Sequence, residues 1–241
     1  MKTISWNLNH RTCEKSIPTS IIKFFRDYQP DTIILNEYVD GESRASFKQD
    51  LYDMGYRYQL VSPYQKKHNQ IFIVSRHSMV CGDLIPPNLD GHATTNFLHI
   101  VFPDSLIEIV GFRAPAYKSA LLRNQYWDQV RLIMEKASDR PVCFIGDANY
   151  NPFLRASAGA DDMKYDHVPS YCIPNPTGDW SYMSIDGTKT SRIDHAFLSS
   201  FLRGTDAAYI STFQDIVLAG SKDDLAITDH AVYSINLHTQ Y

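Results

Sequence analysis

Residues 141–149 read PVCFIGDAN and join an apolar run to a polar end. The run from Pro141 to Ile145 has the length and composition of a buried strand, which ends at Gly146 and Asp147. Taken alone, Asp147 and Asn149 are typical of turn residues after a strand, because short polar side chains bond the neighbouring backbone there. The stretch predicts a buried strand with polar groups at its carboxyl end.

The segments around this strand predict two helices and several further strands. Apolar residues recur at helical intervals from Ser119 to Ala137 and from Ile17 to Tyr28, where Pro30 ends the second pattern. Runs rich in β-branched and aromatic residues predict strands at Lys2 to Trp6, Thr32 to Leu35, Tyr56 to Val61, Gln70 to Ser75, Asn96 to Phe102, Leu106 to Phe112, Ile193 to Leu198 and Ala231 to Leu237. The element order predicts an α/β fold.

Two segments carry more specific expectations. The four strands predicted between Tyr56 and Phe112 are separated by short turns, which favours an antiparallel meander. The stretch from Ala156 to Gly178 is rich in turn residues without a clean period, which predicts a loop holding one short helix at most.

Length and composition favour a globular protein. A chain of 241 residues can bury one core, and without repeats or linker composition a single domain over residues 1–241 is expected. The net charge of -4 argues against a uniformly basic nucleic-acid-binding surface, although a local basic patch is compatible with it. Neither a signal peptide nor a membrane span is expected. Separated cysteines predict reduced thiols and a cytoplasmic location: Cys13, Cys81, Cys143 and Cys172.

Uncommon polar residues stand at the ends of the predicted strands. They are Asn7, Glu37, Asp147, Asn149, Asp194, Asp229 and His230. Carboxylates beside apolar strands cost free energy unless they are paired, hydrogen-bonded or metal-bound. Glu37 carries the most weight, because Glu has little turn preference and follows a strand expected to be buried. Other readings stay open for single residues: Asp194 as a partner of Arg192 or a turn cap, and His230 as a core or solvated histidine.

The ordered set of segments resembles the endonuclease/exonuclease/phosphatase superfamily over nearly the whole chain. ISWN resembles its first motif, IILNE its metal-binding glutamate motif and NQIFIVSR its NGVAILSR-type strand. GDAN is similar to GDFN, SRID to RxDY and TDH to the terminal SDH motif. WSYM followed by SRIDHAFLSS locally resembles exonuclease III and apurinic endonucleases. The resemblance implies a four-layered α/β sandwich of two packed mixed sheets flanked by helices.

The resemblance also implies a phosphoesterase in which water attacks phosphorus with the aid of Mg²⁺ or Mn²⁺. Glu37 would be the principal metal ligand, completed or oriented by Asn7 and Asp229. Asp147 would orient or deprotonate the water, and Asn149 would donate to the phosphate. His230 would bind a nonbridging oxygen, and Asp194 would orient its ring.

One segment departs from the family pattern. Where family members carry His or Tyr, this chain reads GFRAPAY. Phe112 cannot hydrogen-bond a phosphate, so Arg113 is the candidate phosphate-binding replacement, with Tyr117 a weaker one. Arginine can clamp phosphate oxygens, but its high pKa makes it a poor proton donor.

Three functions are compatible with these residues. A nuclease is favoured by the WSYM-to-SRID likeness, with nucleic acid as the expected substrate. A phosphatase or phosphodiesterase acting on a small phosphorylated metabolite or lipid headgroup is favoured by the acidic net charge. An inactive phosphate-binding module is favoured by the altered GFRAPAY segment. Basic and aromatic residues of the loops are candidates for backbone tracking and base stacking: Lys66, Lys67, His68, Arg113, Lys118, Arg123, Tyr38, Tyr117, Tyr150 and Trp180. The alternatives are ordinary solvated charges, above all for Lys66 and Lys67, and core packing for Trp180.

Overall fold

The computed structural model describes residues 1–9, 17–152 and 170–240. Within these ranges the strands are β1 Lys2–Asn7, β2 Thr32–Tyr38, β3 Tyr58–Val61, β4 Gln70–Ser75, β5 Val80–Cys81, β6 Phe97–Val101, β7 Glu108–Arg113, β8 Val142–Asp147, β9 Tyr171–Cys172, β10 Tyr182–Met183, β11 Thr190–Ser191, β12 Asp194–Ser199, β13 Leu202–Ile210, β14 Thr212–Phe213, β15 Ile216–Val217 and β16 Val232–Thr239. The helices are α1 Thr19–Tyr28, α2 Ala45–Asp53, α3 Gly91–Thr95 and α4 Ala120–Lys136, with 3₁₀ turns at Glu42–Arg44 and Lys222–Asp224.

Two six-stranded sheets form the centre of the fold. The first has the order β13-β16-β1-β2-β4-β3 and the second the order β5-β6-β7-β8-β12-β9. In each sheet one central pair is parallel, β1 with β2 and β7 with β8, and the other neighbours are antiparallel. Both sheets are therefore mixed.

Three apolar cores separate four layers. Between the sheets, Ile34 and Ile73 of the first share a core with Ile109 of the second. The outer face of the first sheet packs against α1 and α2, and that of the second packs against α4. Each strand near the centre is buried on both faces, which explains continuous apolar runs such as VCFIG. The predicted four-layered α/β sandwich is confirmed.

The strands predicted between Tyr56 and Phe112 do not form one meander. The hairpin β3–β4 lies in the first sheet and the hairpin β6–β7 lies in the second. Ile71 and Ile73 of β4 face Leu98 and Ile100 of β6 across the sandwich, in the core between the sheets. Hydrophobic alternation is the same for strands that pair side by side and strands that pack face to face, so the sequence pattern cannot separate the two.

Most predicted elements are present, with ends shifted by a few residues. The helix α2 was not predicted, because only Phe47 and Leu51 of its residues are buried and its apolar stripe is correspondingly short. A loop was expected from Ala156 to Gly178, and its residues 156–169 lie outside the described part of the chain. Cys13 also lies outside it. In the described part of the chain, no helix is both long enough and apolar enough to cross a bilayer.

Candidate active site

The register of the second sheet places three charged residues in one row. Arg113 of β7 lies beside Asp147 of β8, which in turn lies beside Asp194 of β12. All three stand at strand ends on the same edge of the sheet. Strand pairing alone therefore gathers residues that are far apart in the sequence.

A close backbone approach holds the middle of this row in place. Gly146 precedes Asp147, and a Cβ atom at Gly146 would lie 1.8 Å from the carbonyl oxygen of Phe112 on β7. Gly146 also has a φ of +156°, which L side chains rarely adopt. Glycine is thus required in GDAN by the packing of β7 on β8, apart from any chemistry of the motif.

The first sheet presents its polar residues at the ends of β1 and β2. Asn7 pairs with Asn36, and Glu37 lies in an irregularity of the pairing with β4, between Leu35 and Tyr38. Glu37 has a φ of 55° in the left-handed region, a strain of about 1 kcal/mol or more for a residue other than glycine. Such bulges re-aim side chains beside active sites.

Three contacts join the two sheets at this edge. They run from Asn7 Nδ2 to Asp147 Oδ2 at 3.0 Å, from Arg113 Nη2 to Glu37 Oε1 at 2.7 Å, and from His230 Nδ1 to Asp194 Oδ2 at 2.9 Å. Arg113 also reaches Asp147, with 3.5 Å between Nε and Oδ2. The structure thus brings six of the residues singled out in the sequence into one buried cluster.

Asp147 lies at the centre of this cluster and is buried. The backbone N–H of Asn149 donates to its Oδ1 at 2.9 Å, and the Asn149 side chain donates to its Oδ2 at 3.3 Å and to the carbonyl of Ala114. Burial and the charge of Asp194 raise the pKa of Asp147 above the usual carboxyl value. In this arrangement Asn149 positions Asp147, and its donation to a phosphate stays a prediction.

His230 and Asp194 form a buried, oriented pair. Burial by itself would lower the pKa of His230, but the charge and hydrogen bond of Asp194 raise it to about 9. At neutral pH the ring therefore carries a proton on each nitrogen, and Nε2 is the one turned away from Asp194. The sequence also offered Arg192 as a partner of Asp194. In the structure Arg192 Nη2 donates to Asn175 Oδ1 at 2.8 Å.

Several supporting residues went unassigned in the sequence, although their motifs were recognised. Trp6 Nε1 donates to the carbonyl of His230 at 2.8 Å, and Ser181 Oγ accepts the backbone N–H of Asp194 at 3.0 Å. Thr228 Oγ1 lies 3.0 Å from the carbonyl of Asn7. Trp6, Ser181 and Thr228 belong to ISWN, WSYM and TDH, so the motifs themselves were the available signal.

Tyr209 had no such signal in the sequence. Its hydroxyl donates to the carbonyl of Asp194 at 2.8 Å. Tyr209 belongs to β13, a strand with Gly204, Asp206 and a register shift between Thr205 and Ala208. These residues break the alternation that marks a strand, so neither the strand nor its contact with Asp194 was predicted.

Asp229 is half-buried at the edge of the cluster. Its Oδ1 lies 3.2 Å from Thr228 Oγ1, and its charge contributes to the raised pKa of His230. This places Asp229 near the imidazole, while its predicted metal contact stays a prediction.

Comparisons with known proteins bear on the family and on the fold. Residues 4–230 match the model of the Endonuclease/Exonuclease/phosphatase family. The chain belongs to this family. The resemblance in the motifs is thereby confirmed, and the family comprises phosphoesterase hydrolases. A comparison with curated protein sequences found no match.

Solved structures share the fold at low identity. An AP endonuclease from Archaeoglobus fulgidus superposes with a TM-score of 0.70 at 13% identity, covering 98% of each chain. The 3′ phosphatase NExo from Neisseria, bound to a product DNA hairpin, has a TM-score of 0.68 at 16% identity and covers 99% of each chain. D. rerio TDP2, complexed with a single-strand DNA product, has a TM-score of 0.68 at 16% identity over 98% of each chain. At this identity the likeness establishes the fold.

Enzymes of this family generally depend on a divalent metal, and the donor set of this chain fits one. Its charged groups are the carboxylates Glu37, Asp147, Asp194 and Asp229 against the cations Arg113 and His230. Negative charge is in excess, and burial together with the charge of Asp194 raises the pKa of Asp147. Oxygen donors of this kind suit Mg²⁺ or Mn²⁺ better than softer metals.

The family departure at Arg113 bears directly on these donors. Its guanidinium contacts Glu37 and Asp147 together, so it partly neutralises Glu37, the expected metal ligand, and the neighbouring Asp147. Among the described residues, no three of His, Cys, Asp and Glu are arranged as a preformed metal cage. A metal ion would therefore compete with Arg113 for Glu37.

Two of the expected base-stacking residues belong to the core. Tyr38 is fully buried and stacks on Phe72 with ring centroids 4.5 Å apart. Tyr150 packs edge-on against Trp127 at 4.9 Å, and Trp180 packs on the core between the sheets. Tyr38 and Tyr150 were candidates for base stacking because they lie beside site motifs in the sequence. Both side chains are buried, so they are not exposed for stacking on a base.

Proposed function

We propose that this protein is a divalent-metal-dependent phosphoesterase that hydrolyses phosphodiester bonds of nucleic acid. The observation that carries the proposal is the set of three inter-sheet contacts, which brings carboxylates, an amide, a guanidinium and an imidazolium to one edge. Neighbours of the same fold that hold DNA products support nucleic acid as the substrate class.

Asp147 is the proposed acceptor of the proton from the attacking water. It is buried, held by Asn7 and by the backbone of Asn149, and its raised pKa gives it more proton affinity than a solvated carboxylate. General bases need this combination of fixed orientation and a pKa moved toward the working pH.

His230 and Arg113 are the proposed phosphate-binding groups. Asp194 holds the imidazole through Nδ1, which leaves the Nε2 proton for a nonbridging oxygen. Arg113 offers a planar fork that matches two phosphate oxygens, once it turns from Glu37 to the substrate. Both groups carry positive charge, as stabilisation of a phosphoryl transition state requires.

Glu37, with Asn7 and Asp229, is the proposed holder of Mg²⁺ or Mn²⁺. The bound ion supplies Lewis-acid neutralisation of the phosphate charge. Asn7 directs its amide nitrogen to Asp147 and Glu37, at 3.0 and 3.4 Å, and its Oδ1 accepts the N–H of Asn9. Asn7 in this arrangement orients the two carboxylates.

The test uses bis-p-nitrophenyl phosphate with Mg²⁺ or Mn²⁺, followed by supercoiled DNA, abasic duplex, single-stranded DNA, RNA and phosphomonoesters. We expect hydrolysis that EDTA abolishes and that Glu37→Gln lowers by about 100-fold or more. The matched control is Glu42→Gln, an exposed glutamate near the same strand. Metal-dependent turnover equal in both variants would remove Glu37 from the site.

The same panel separates two alternatives. A phosphatase acting on a small phosphorylated metabolite or lipid headgroup predicts release of phosphate from monoesters without cleavage of polynucleotides. The 3′ phosphatase among the neighbours supports this second candidate. An inactive phosphate-binding module predicts no hydrolysis of any ester. Against it stands the presence together of Asn7, Glu37, Asp147, Asn149, Asp194, Asp229 and His230.

We also propose a cytoplasmic location. The cysteines of the described residues are free thiols: Cys81, Cys143 and Cys172. Reduced thiols, two of them exposed, suit a reducing compartment. Labelling of a tagged protein in fractionated cells checks this proposal, and recovery with secreted proteins would contradict it.

A further inference from the structure

A pocket of about 370 Å³ opens beside the candidate active site. Its polar and aromatic lining consists of Lys67, Asn69, His92, Arg113, Tyr117 and Lys118. Its volume lies within the range of small-ligand sites, toward the lower end. The pocket is therefore large enough for more than a single ion.

The pocket is basic in an acidic protein. Lys67, Arg113 and Lys118 line it, and no carboxylate is among its described lining residues, whereas the whole chain has a net charge of -4. Beside the pocket, the ring of His68 packs against that of His92 with centroids 4.2 Å apart. Clustered cations of this kind attract a phosphate.

Two loops from different sheets, together with His92 of α3, build the pocket. Lys67 and Asn69 precede β4 of the first sheet, and Tyr117 and Lys118 follow β7 of the second. Lys67 has a φ of 67°, so the loop before β4 is held in a left-handed conformation that residues other than glycine rarely adopt. The pocket thus spans the same inter-sheet edge as the catalytic cluster.

Arg113 belongs to both the pocket and the catalytic cluster. It lines the pocket and contacts Glu37 Oε1 at 2.7 Å, so the two sites are separated by one side chain. Tyr117 adds a half-buried ring at the pocket wall, against which a base or sugar can pack. A ligand that fits both sites carries two phosphates with a nucleoside between them.

We infer that this pocket binds the phosphate adjacent to the scissile one in a nucleic-acid strand. The inference rests on the proposed function and adds to it a second phosphate subsite, made by Lys67 and Lys118. It makes the enzyme selective for substrates with at least two consecutive phosphates. A dinucleotide with only the scissile phosphate leaves the pocket without an anion.

The test compares the double variant Lys67→Ala/Lys118→Ala with Lys66→Ala. The sequence offered Lys66 as a backbone-tracking candidate, but it is exposed and does not line the pocket, so the inference gives it no part in this subsite and it controls for loss of surface charge beside Lys67. The substrates are thymidine dinucleotide TpT, the trinucleotide TpTpT and bis-p-nitrophenyl phosphate. In the double variant we expect kcat/KM for TpTpT, relative to that for bis-p-nitrophenyl phosphate, to fall about tenfold or more. TpT should lose less, and Lys66→Ala should keep the wild-type ratio.

A binding measurement in EDTA keeps the inference testable if no ester is hydrolysed. Fluorescence anisotropy of a labelled trinucleotide should show about tenfold weaker binding by the double variant than by Lys66→Ala. A methylphosphonate, which removes the charge of the adjacent phosphate, should weaken wild-type binding and leave the double variant unaffected. Absence of hydrolysis by the wild type would overturn the proposed function alone.

Other outcomes overturn the inference itself. Equal anisotropy for the double variant and Lys66→Ala would show that the pocket binds no phosphate. A nucleoside 3′,5′-bisphosphate that binds more tightly than TpTpT, in a manner dependent on Lys67 and Lys118, would assign the pocket to a terminal phosphate of a small molecule.

Discussion

Two charge clusters along the second sheet differ in how their charges are balanced. One is the candidate active site, at the ends of β7, β8 and β12. The other, which we call the Glu108 cluster, consists of Asp83, His99, Glu108 and Arg140. Glu108 begins β7 and Arg113 ends it, so the same strand serves both clusters.

The Glu108 cluster pairs its charges closely. Glu108 accepts from His99 Nε2 and from Arg140 Nε, each at 2.9 Å, and Arg140 Nη2 donates to Asp83 Oδ1 at 2.8 Å. Burial opposes ionisation of Glu108, yet the hydrogen bonds from His99 and Arg140 keep its pKa below the usual value. The protein environment therefore favours the charged form of Glu108.

In the candidate active site the environment shifts a carboxyl pKa the other way, upward. Burial and Asp194 raise the pKa of Asp147, and Asp194 Oδ1 is buried without a hydrogen-bond partner in the described part of the chain. Glu37 and Asn149 have left-handed backbone conformations. Opposed charge and strain persist only where the surrounding packing imposes them, which is typical of functional sites. The Glu108 cluster stabilises the fold. The arrangement of the active site, in contrast, is maintained by the packing of the rest of the fold.

The largest expected effect is that of Asp147→Asn on activity. Loss of the proposed base should lower kcat by about 10³-fold, within the range for general bases. Folding should be maintained or strengthened by about 1 kcal/mol, because a carboxylate buried beside Asp194 is replaced by a neutral isostere. Single-turnover kinetics and urea unfolding measure the two quantities. The control is the exposed Asp128→Asn, and a variant with normal kcat would exclude Asp147 as the base.

Glu108→Gln should lower stability and leave activity unchanged, the reverse of Asp147→Asn. We expect unfolding free energy to fall by about 2 kcal/mol, because Arg140 and His99 lose a charged acceptor. The kcat of the folded variant should equal that of the wild type. Glu135→Gln, which removes an exposed pair with Arg131, should change stability by no more than about 0.5 kcal/mol. A loss of kcat in Glu108→Gln would show that the two clusters are coupled.

The stability difference between wild type and Glu108→Gln should depend on pH. A carboxyl group with a lowered folded pKa stabilises the fold above its unfolded pKa, about 4.3 for Glu, and loses this contribution as pH falls through the folded value. The difference should be full at pH 6 to 7 and should shrink below about pH 4.3. Urea midpoints across this range test it. A difference that grows on acidification would contradict the sign of the shift.

The smallest expected effect is that of Arg113→Ala on metal affinity. Without the competing guanidinium, Glu37 should bind Mn²⁺ about fivefold more tightly, equivalent to about 1 kcal/mol. Phosphate binding should weaken in the same variant, since a proposed phosphate ligand is lost. Calorimetric titration with Mn²⁺ measures the first effect, with Arg131→Ala as the control, since the Arg131 side chain is 40% exposed and pairs only with Glu135 of its own helix among the ion pairs described. Weaker Mn²⁺ binding would show that Arg113 supports the metal site.

The sequence predicted individual elements more accurately than their partners. Strand β8 was predicted from PVCFIGDAN because a short apolar run ending in Gly-Asp has few other solutions. The sequence placed β4 beside β6 in one meander, but β6 packs across the core from β4, and a continuous apolar run such as that of β4 fits both positions equally well. Edge strand β13 was missed because its bulge and Gly204 interrupt the pattern.

By itself, the sequence determined which strands end in carboxylates, amides and an imidazole, because these residues interrupt apolar runs at fixed places along the chain. Only the tertiary structure decided how they are paired. Asn7 meets Asp147 and Arg113 meets Glu37 through contacts that cross from one sheet to the other. Such contacts depend on the register and separation of two packed sheets, which no local pattern of residues encodes.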